Sequence, residues 1–222
     1  VGMARQDAQV ATAVIEARLL WGSQGLFERF QKAVSRKVVG RRRRAFVADC
    51  VASRNAERAE HGQTVSELEP DVKRSLGGLR DVHLIRWVGF AHYGTTDIES
   101  LRLKGALGRD DARDLITAQE FLMRVRIGLH FQAGKPHDVL NRDAQLRIAR
   151  EREIASTTGQ RPVERFMQTY FRHSGTIADI CRRFVSAHQS PPLARRAADS
   201  LLTHRLNGYL KVGPGFLDVS KR

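Results

Sequence analysis

The residues best suited to chemistry lie in one short segment, residues 69–81, with the sequence EPDVKRSLGGLRD. It combines a lysine, a Gly-Gly turn and a helix start that carries an Arg-Asp pair. A lysine ammonium and the free N–H groups at a helix start both favour a phosphate-bearing ligand. A Gly-Gly pair alone indicates only a turn, so the prediction depends on its neighbours. The candidate nucleotide-binding residues are Lys73, Gly77, Gly78, Arg80 and Asp81.

The carboxylate that closes this segment has two interpretations. Asp81 either holds a metal-bound water or pairs with Arg80 or another basic group. Both interpretations bring it close to the loop, and the sequence leaves them open.

Histidines and cysteines show no spacing typical of a metal site. His137-Asp138 has the letters of an HD metal motif, but it lies in a predicted loop without a partner histidine pattern. His130 lies on a predicted helix and is interpreted as a packing residue. Cys50 and Cys181 are far apart in helical patterns, which argues against a disulfide framework and favours a reducing cytoplasm. We predict no metal ligand within the chain.

The 222-residue chain is long enough to bury a core in one domain, and no apolar run approaches the roughly 18 residues of a membrane helix. We therefore expect a cytoplasmic protein without a membrane partner. The net charge of +14 favours anionic partners such as nucleotides, nucleic acid or acidic protein faces. Four consecutive arginines at 41–44 form either a solvated helix junction or a polyanion-binding patch.

Hydrophobic spacing predicts a mainly α, bundle-like multi-helix domain. Residues 12–22 are rich in β-branched side chains and close on a glycine, which favours a strand over a short helix. A lone strand is unstable in water, so we expect its sheet to lie outside this chain, as part of something longer. The tail over 206–219 is predicted to be a small hairpin or an extended linker. Helices are predicted over 24–38, 44–60, 79–92, 110–133, 143–156 and from 162 towards 190, with a short one near 193–203.

The segment 69–81 resembles the signature of the PII uridylyltransferases, the bifunctional enzymes that add UMP to the PII nitrogen-signalling protein and remove it. The resemblance continues in the same order over residues 10–190, and several ordered blocks are more specific than one motif. The matched blocks are 15–22 (IEARLLWG), 26–28, 68–73, 77–81, 118–126, 129–134, 145–149 and 163–170.

The resemblance implies a three-part organisation. Residues 1–22 would be the C-terminal edge of a nucleotidyltransferase domain, 23–190 the helical domain that follows it, and 191–222 a linker towards a downstream domain. The implied reaction transfers UMP from UTP to a tyrosine of the PII protein and requires Mg²⁺. Lys73 would steer the triphosphate, Gly77 and Gly78 would allow close backbone approach, and Arg80 with Asp81 would brace the loop.

The family's paired metal-binding aspartates have no counterpart before Glu16. The segment alone is therefore expected to be inactive, with Mg²⁺ bound mainly outside it. Glu16 is a candidate for the third carboxylate of that metal site; the alternative is a structural pairing with Arg18 or another neighbour.

The chain departs from the family pattern at the loop, where Ser75-Leu76 replaces a small pair such as Gly-Pro and Asp71 replaces a frequent Asn. These changes affect the predicted loop geometry. Two other functions stay open: the helical domain of a glutamine synthetase adenylyltransferase, and a non-enzymatic basic helical binding module. The Arg-Asp pair at 80–81 favours the uridylyltransferase, with UTP and a PII protein as partners rather than nucleic acid.

Overall fold

A computed structural model describes residues 7–61, 64–151 and 159–189, together with the backbone of three strands between 204 and 219. The chain divides into two compact units, Val1–His188 and Gln189–Arg222. The helices of the first unit are α1 (Ala8–Ile15), α2 (Gln24–Val34), α3 (Arg43–His61), α4 (Leu79–Tyr93), α5 (Ile98–Leu103), α6 (Arg109–Ala133), α7 (Arg142–Glu151) and α8 (Pro162–His188).

The core of the first unit lies around α4 and α8. α4 packs against α3 and α8, and α8 also packs against α6 and α7. Apolar residues recur every three or four positions on these helices, so each helix buries one stripe. The predicted mainly α fold is therefore confirmed. Buried residues of this core include Val82, Ile85, Val88, Leu115, Leu122, Val125, Phe166, Tyr170 and Ile177.

The strand predicted over residues 12–22 is wrong. Helix α1 ends only at Ile15, and a turn and an irregular segment with bends follow it. Asp7 caps the helix by accepting hydrogen bonds from two backbone N–H groups of the first turn. Ala11 and Ile15, four residues apart, are both buried where α1 packs against α2, α3 and α4. Capping and this buried stripe outweigh the β-branched content.

The four consecutive arginines lie at a helix junction. A π-helical turn (Ser35–Val39) and a 3₁₀ turn (Gly40–Arg42) connect α2 to α3. Arg42, Arg43 and Arg44 are exposed there. Binding of a polyanion at this position stays a prediction.

The second unit contains a three-stranded antiparallel sheet in the order β1 (His204–Leu206), β2 (Leu210–Gly213) and β3 (Phe216–Val219). β2 is central: its Val212 pairs with His204 of β1 and with Leu217 of β3. This agrees with the hairpin interpretation of the tail. The short helix predicted near 193–203 falls outside the described residues. Among the helices described, none combines the length and apolar character needed to cross a membrane.

Candidate functional site

The predicted phosphate-binding loop is tied to the segment that follows α6. The N–H of Val72 donates to the carbonyl of Asp138 at 2.8 Å, and the N–H of Leu140 donates to the carbonyl of Pro70 at 2.9 Å. These two bonds form a short antiparallel bridge. The position of the loop therefore depends on the end of α6 as well as on α4.

Two residues that depart from the family pattern shape the turn. Oδ1 of Asp71 accepts the N–H groups of Lys73 at 2.9 Å and Arg74 at 2.8 Å. Oγ of Ser75 accepts the N–H of Asp71 at 2.9 Å and lies 3.0 Å from Oε2 of Glu67. An asparagine could accept the same bonds as Asp71. The departures therefore preserve a closed loop.

The N–H groups at the start of α4 are not free. Those of Gly78, Leu79 and Arg80 donate to carbonyls of the preceding loop at 2.9 to 3.1 Å. The expectation that they would offer an anion site is therefore wrong, because the loop itself satisfies them. Any phosphate bound here must be held by side chains.

Gly77 and Gly78 are required by contacts within the chain. Gly77 has φ +75°, and a Cβ there would lie 2.0 Å from the carbonyl oxygen of Ser174 in α8. A Cβ on Gly78 would lie within 2.9 Å of loop carbonyl oxygens. The glycines thus let the loop pack on α8 and on itself. Their contact with a nucleotide stays a prediction.

Asp81 pairs with basic groups and is fully buried, with 0% of its surface exposed. Its Oδ1 accepts from Nε of Arg54 at 2.6 Å and from Nη2 of Arg58 at 2.7 Å. Its Oδ2 accepts the N–H of Gly77 at 2.7 Å. Both oxygens are thus engaged, which supports the pairing interpretation and gives Asp81 the bracing position expected from the resemblance.

Sequence analysis missed Arg54, the residue that organises this loop from α3. Only 2% of its surface is exposed. Besides Asp81, its guanidinium donates to the carbonyls of Arg74 at 2.8 Å and Ser75 at 3.0 Å, and to Oε2 of Glu57 at 3.1 Å. A single arginine on an amphipathic helix is usually exposed to solvent, so its sequence position alone gave no reason to single out Arg54. The available signal was the spacing of Arg54, Glu57 and Arg58, which places all three on one face.

Lys73 lies half-buried at the loop surface, and its ammonium has no hydrogen bond or ion pair with any described residue. Burial lowers the pKa of Lys73, and the positive charges of Arg80, Arg126 and Arg74 lower it further. Asp138 acts in the opposite direction without cancelling them. We call Lys73, Arg74, Arg80 and Arg126 the cationic cluster.

Two carboxylates lie against the cationic cluster. Oε1 of Glu57 is 3.5 Å from Nε of both Arg74 and Arg80. Asp138 accepts from Nε of Arg126 at 2.7 Å. Four cations thus face two carboxylates, and the surplus positive charge is centred on the unpaired lysine.

The HD dipeptide at 137–138 is not part of a metal group. Asp138 is engaged by Arg126 and lies 2.8 Å from Nε2 of His130. Burial raises the pKa of Asp138, but the hydrogen bonds from Arg126 and His130 outweigh burial and hold the pKa below its ordinary value. Across the described part of the chain, no three His, Cys, Asp or Glu side chains are grouped to hold a metal ion.

Glu16 lies at the C-terminal end of α1, and its Oε1 accepts the indole N–H of Trp87 at 3.0 Å. This contact joins α1 to α4, and the role of Glu16 as a third metal carboxylate stays a prediction. Glu16 and Arg80 line one cavity of about 600 Å³ between α1, α3 and α4. Two residues singled out from sequence thus meet at a cavity that sequence analysis did not foresee.

Comparison with known proteins identifies the family. The family model "GlnD PII-uridylyltransferase" matches residues 45–185. The chain belongs to the PII-uridylyltransferase family. Among its relatives, the bifunctional uridylyltransferase/uridylyl-removing enzyme of Rhodospirillum rubrum is 34% identical over all of this chain, and that of Erythrobacter litoralis is 33% identical over 96% of it. The chain spans about a quarter of the length (24%) of each of these two curated relatives.

These relatives favour the uridylyltransferase interpretation over the adenylyltransferase and binding-module alternatives, because they are uridylyltransferase/uridylyl-removing enzymes by name. The family match covers the loop, Arg54 and the cationic cluster. No solved structure matches the chain. The family is therefore established from sequence.

Proposed function

We propose that this chain supplies the helical part of an enzyme that transfers UMP from UTP to a tyrosine of a PII-type signalling protein. In that reaction the tyrosine oxygen forms a bond to the α-phosphorus of UTP. The bond from this phosphorus to the bridging oxygen breaks, pyrophosphate leaves, and the phenolic proton passes to a base. Negative charge on the phosphates must be stabilised throughout.

The observation that carries this proposal is the unpaired Lys73 within the cationic cluster. Burial lowers the pKa of Lys73 first and the neighbouring arginines lower it further, so its ammonium lies in a partly desolvated, positively charged site. A bound triphosphate would supply the neutralising charge. Lys73 and Arg80 are the members proposed to contact the phosphates, while Arg54 holds the loop from below through Asp81 and two loop carbonyls.

Residues 1–22 are proposed to border a nucleotidyltransferase domain, with 23–190 as the helical domain and 191–222 as a linker. In this proposal Mg²⁺ is bound mainly outside the segment, Glu16 is a candidate third carboxylate, and the segment alone is inactive. The cytoplasm is the proposed location.

A chimera tests the proposal. This chain replaces the matched segment of the Rhodospirillum rubrum relative, and incorporation of labelled UMP from UTP into a PII-type protein is measured. We expect incorporation, and we expect Lys73→Gln in the chimera to lower it at least about tenfold, equivalent to about 1.4 kcal/mol. Lys104→Gln, at the exposed end of α5, is the matched control and should leave it unchanged. Equal rates for both variants would contradict the proposal.

A further inference from the structure

The cavity between α1, α3 and α4 lies beside the cationic cluster but has a different character. Arg80 belongs to both, because it lines the cavity and also acts electrostatically on Lys73. Three carboxylates line the cavity, those of Glu16, Glu57 and Glu60. Because Arg54 and Arg80 also line the cavity, its charges nearly balance, whereas Lys73 outside it offers the phosphates of a nucleotide an ammonium that has no ion pair with a described residue.

Two nitrogen atoms at the cavity lack a hydrogen-bond partner among the described residues. They are Nδ1 of His83 and Nε of Arg80, and both are shielded from solvent. Nε of Arg80 is only 3.5 Å from Glu57, too poorly placed for a hydrogen bond. Both atoms are covered by neighbouring protein groups, so the polar groups that a ligand in the cavity can reach are the carboxylates that line it.

Trp87 supplies an aromatic wall. Its indole N–H is already bonded to Glu16, which fixes the ring, and its centroid lies 5.8 Å from that of His83. A fixed aromatic surface next to carboxylate acceptors suits a planar heterocycle. A volume of about 600 Å³ lies in the usual range for small-molecule sites.

We propose that this cavity binds the base and ribose of the nucleotide whose phosphates contact Lys73 and Arg80. The uncharged heterocycle lies near Trp87 and His83, and its N–H group and the ribose hydroxyls donate to the carboxylates that line the cavity. Arg80 lies at the boundary between the nucleoside and the phosphates. This inference rests on the proposed function, since it assigns the part of the same ligand that the cationic cluster does not contact.

Fluorescence can test the site, because the chain has only two tryptophans and Trp21 is 94% exposed. In the Trp21→Phe variant of the full chain, Trp87 is the sole indole emitter. Titration with uridine, which carries no phosphate, should change its emission saturably.

Ala56→Leu then fills the cavity from α3 without removing a charged group, and Ala59→Leu is the matched control on the same helix. Filling the site should weaken uridine binding at least about tenfold, equivalent to about 1.4 kcal/mol. Ala59→Leu should leave uridine binding unchanged.

A parallel calorimetric titration with inorganic triphosphate separates the two proposals. If triphosphate binds in a Lys73-dependent manner but uridine does not bind at millimolar concentration, this inference is overturned and the proposed function stands. If uridine binds and Ala56→Leu does not weaken it, the cavity is not the site. If neither probe binds, both proposals fail.

Discussion

At the scale of single residues, the candidate site depends on one buried arginine. Arg54 is the common partner of Asp81, of Glu57 and of two loop carbonyls. These contacts connect α3 to the loop that carries Lys73. The desolvation cost of a buried ion pair offsets much of its attraction. Loss of only one partner is strongly destabilising, because the other charge then stays buried without compensation.

Arg54→Met should lower the free energy of unfolding by about 3–5 kcal/mol, since it leaves a buried carboxylate with one cation fewer and two carbonyls without a donor. Urea denaturation measures this. Arg58→Met is the control: its side chain is 22% exposed, so its loss should cost less. Equal losses for the two variants would mean that Arg54 does not organise the loop.

Gly77→Ala tests whether the loop packs on α8 as described. The added Cβ would meet the carbonyl of Ser174 at a positive φ, so we expect both a clash and backbone strain. Gly94 has nearly the same φ, +73°, with open space around it. Gly94→Ala should therefore show the strain alone, about 1 kcal/mol. A thermal unfolding midpoint no lower for Gly77→Ala than for Gly94→Ala would be inconsistent with this packing.

At the scale of elements, the loop and α4 form one hydrogen-bonded unit. The first N–H groups of α4 donate to loop carbonyls, and the loop in turn pairs with the segment after α6. α4 therefore lacks the free N-terminus that an anion-binding helix would present. Side chains, and not backbone groups, give this site its positive charge.

Hydrogen exchange distinguishes a helix start that is bonded to the loop from one whose N–H groups are free. The amides of Leu79 and Arg80 should exchange as slowly as the interior of α4, because each is bonded to the loop. The first-turn amides of Asp110 and Asp111 are the comparison, since α6 has no side-chain cap. Fast exchange at Leu79 and Arg80 would show that the helix start is open after all.

Most of the helices were predictable from the sequence. The 3.6-residue periodicity predicted α2, α3, α4, α6, α7 and α8, because each buries one apolar stripe, but it did not predict the short α5. It failed at residues 12–22, where a cap at Asp7 and burial of Ala11 and Ile15 outweighed local β-propensity. Arg54 and the cavity were missed because both depend on how α1, α3 and α4 meet, which periodicity does not report.

At the scale of the whole molecule, the excess positive charge is large but its effects are local. The arginines at 41–44 mark a helix junction, whereas the cationic cluster combines Lys73 and Arg74 of the loop with Arg80 of α4 and Arg126 of α6. The net charge of +14 attracts anions in general. Selection of a nucleotide would come from the cluster and the adjoining cavity together.

Acid should destabilise the whole fold. Burial lowers the pKa of His83, His92 and His173 below the ordinary value of about 6.5. The unfolded chain therefore binds protons first as the pH falls, and the free energy of unfolding falls from about pH 6.5 down to the folded pKa values. Urea denaturation at about pH 7.5 and 5.5 checks this. His173→Phe should flatten the dependence, and an unchanged slope would contradict it.

The most direct test of the central claim is calorimetric titration of the 222-residue chain with UTP, comparing Lys73→Gln with Lys104→Gln. Removing the ammonium at the cationic cluster should weaken UTP binding at least about tenfold, equivalent to about 1.4 kcal/mol, while the control should bind as tightly as the unmodified chain. Equal affinity for UTP in both variants would contradict the assignment of Lys73 to the phosphates.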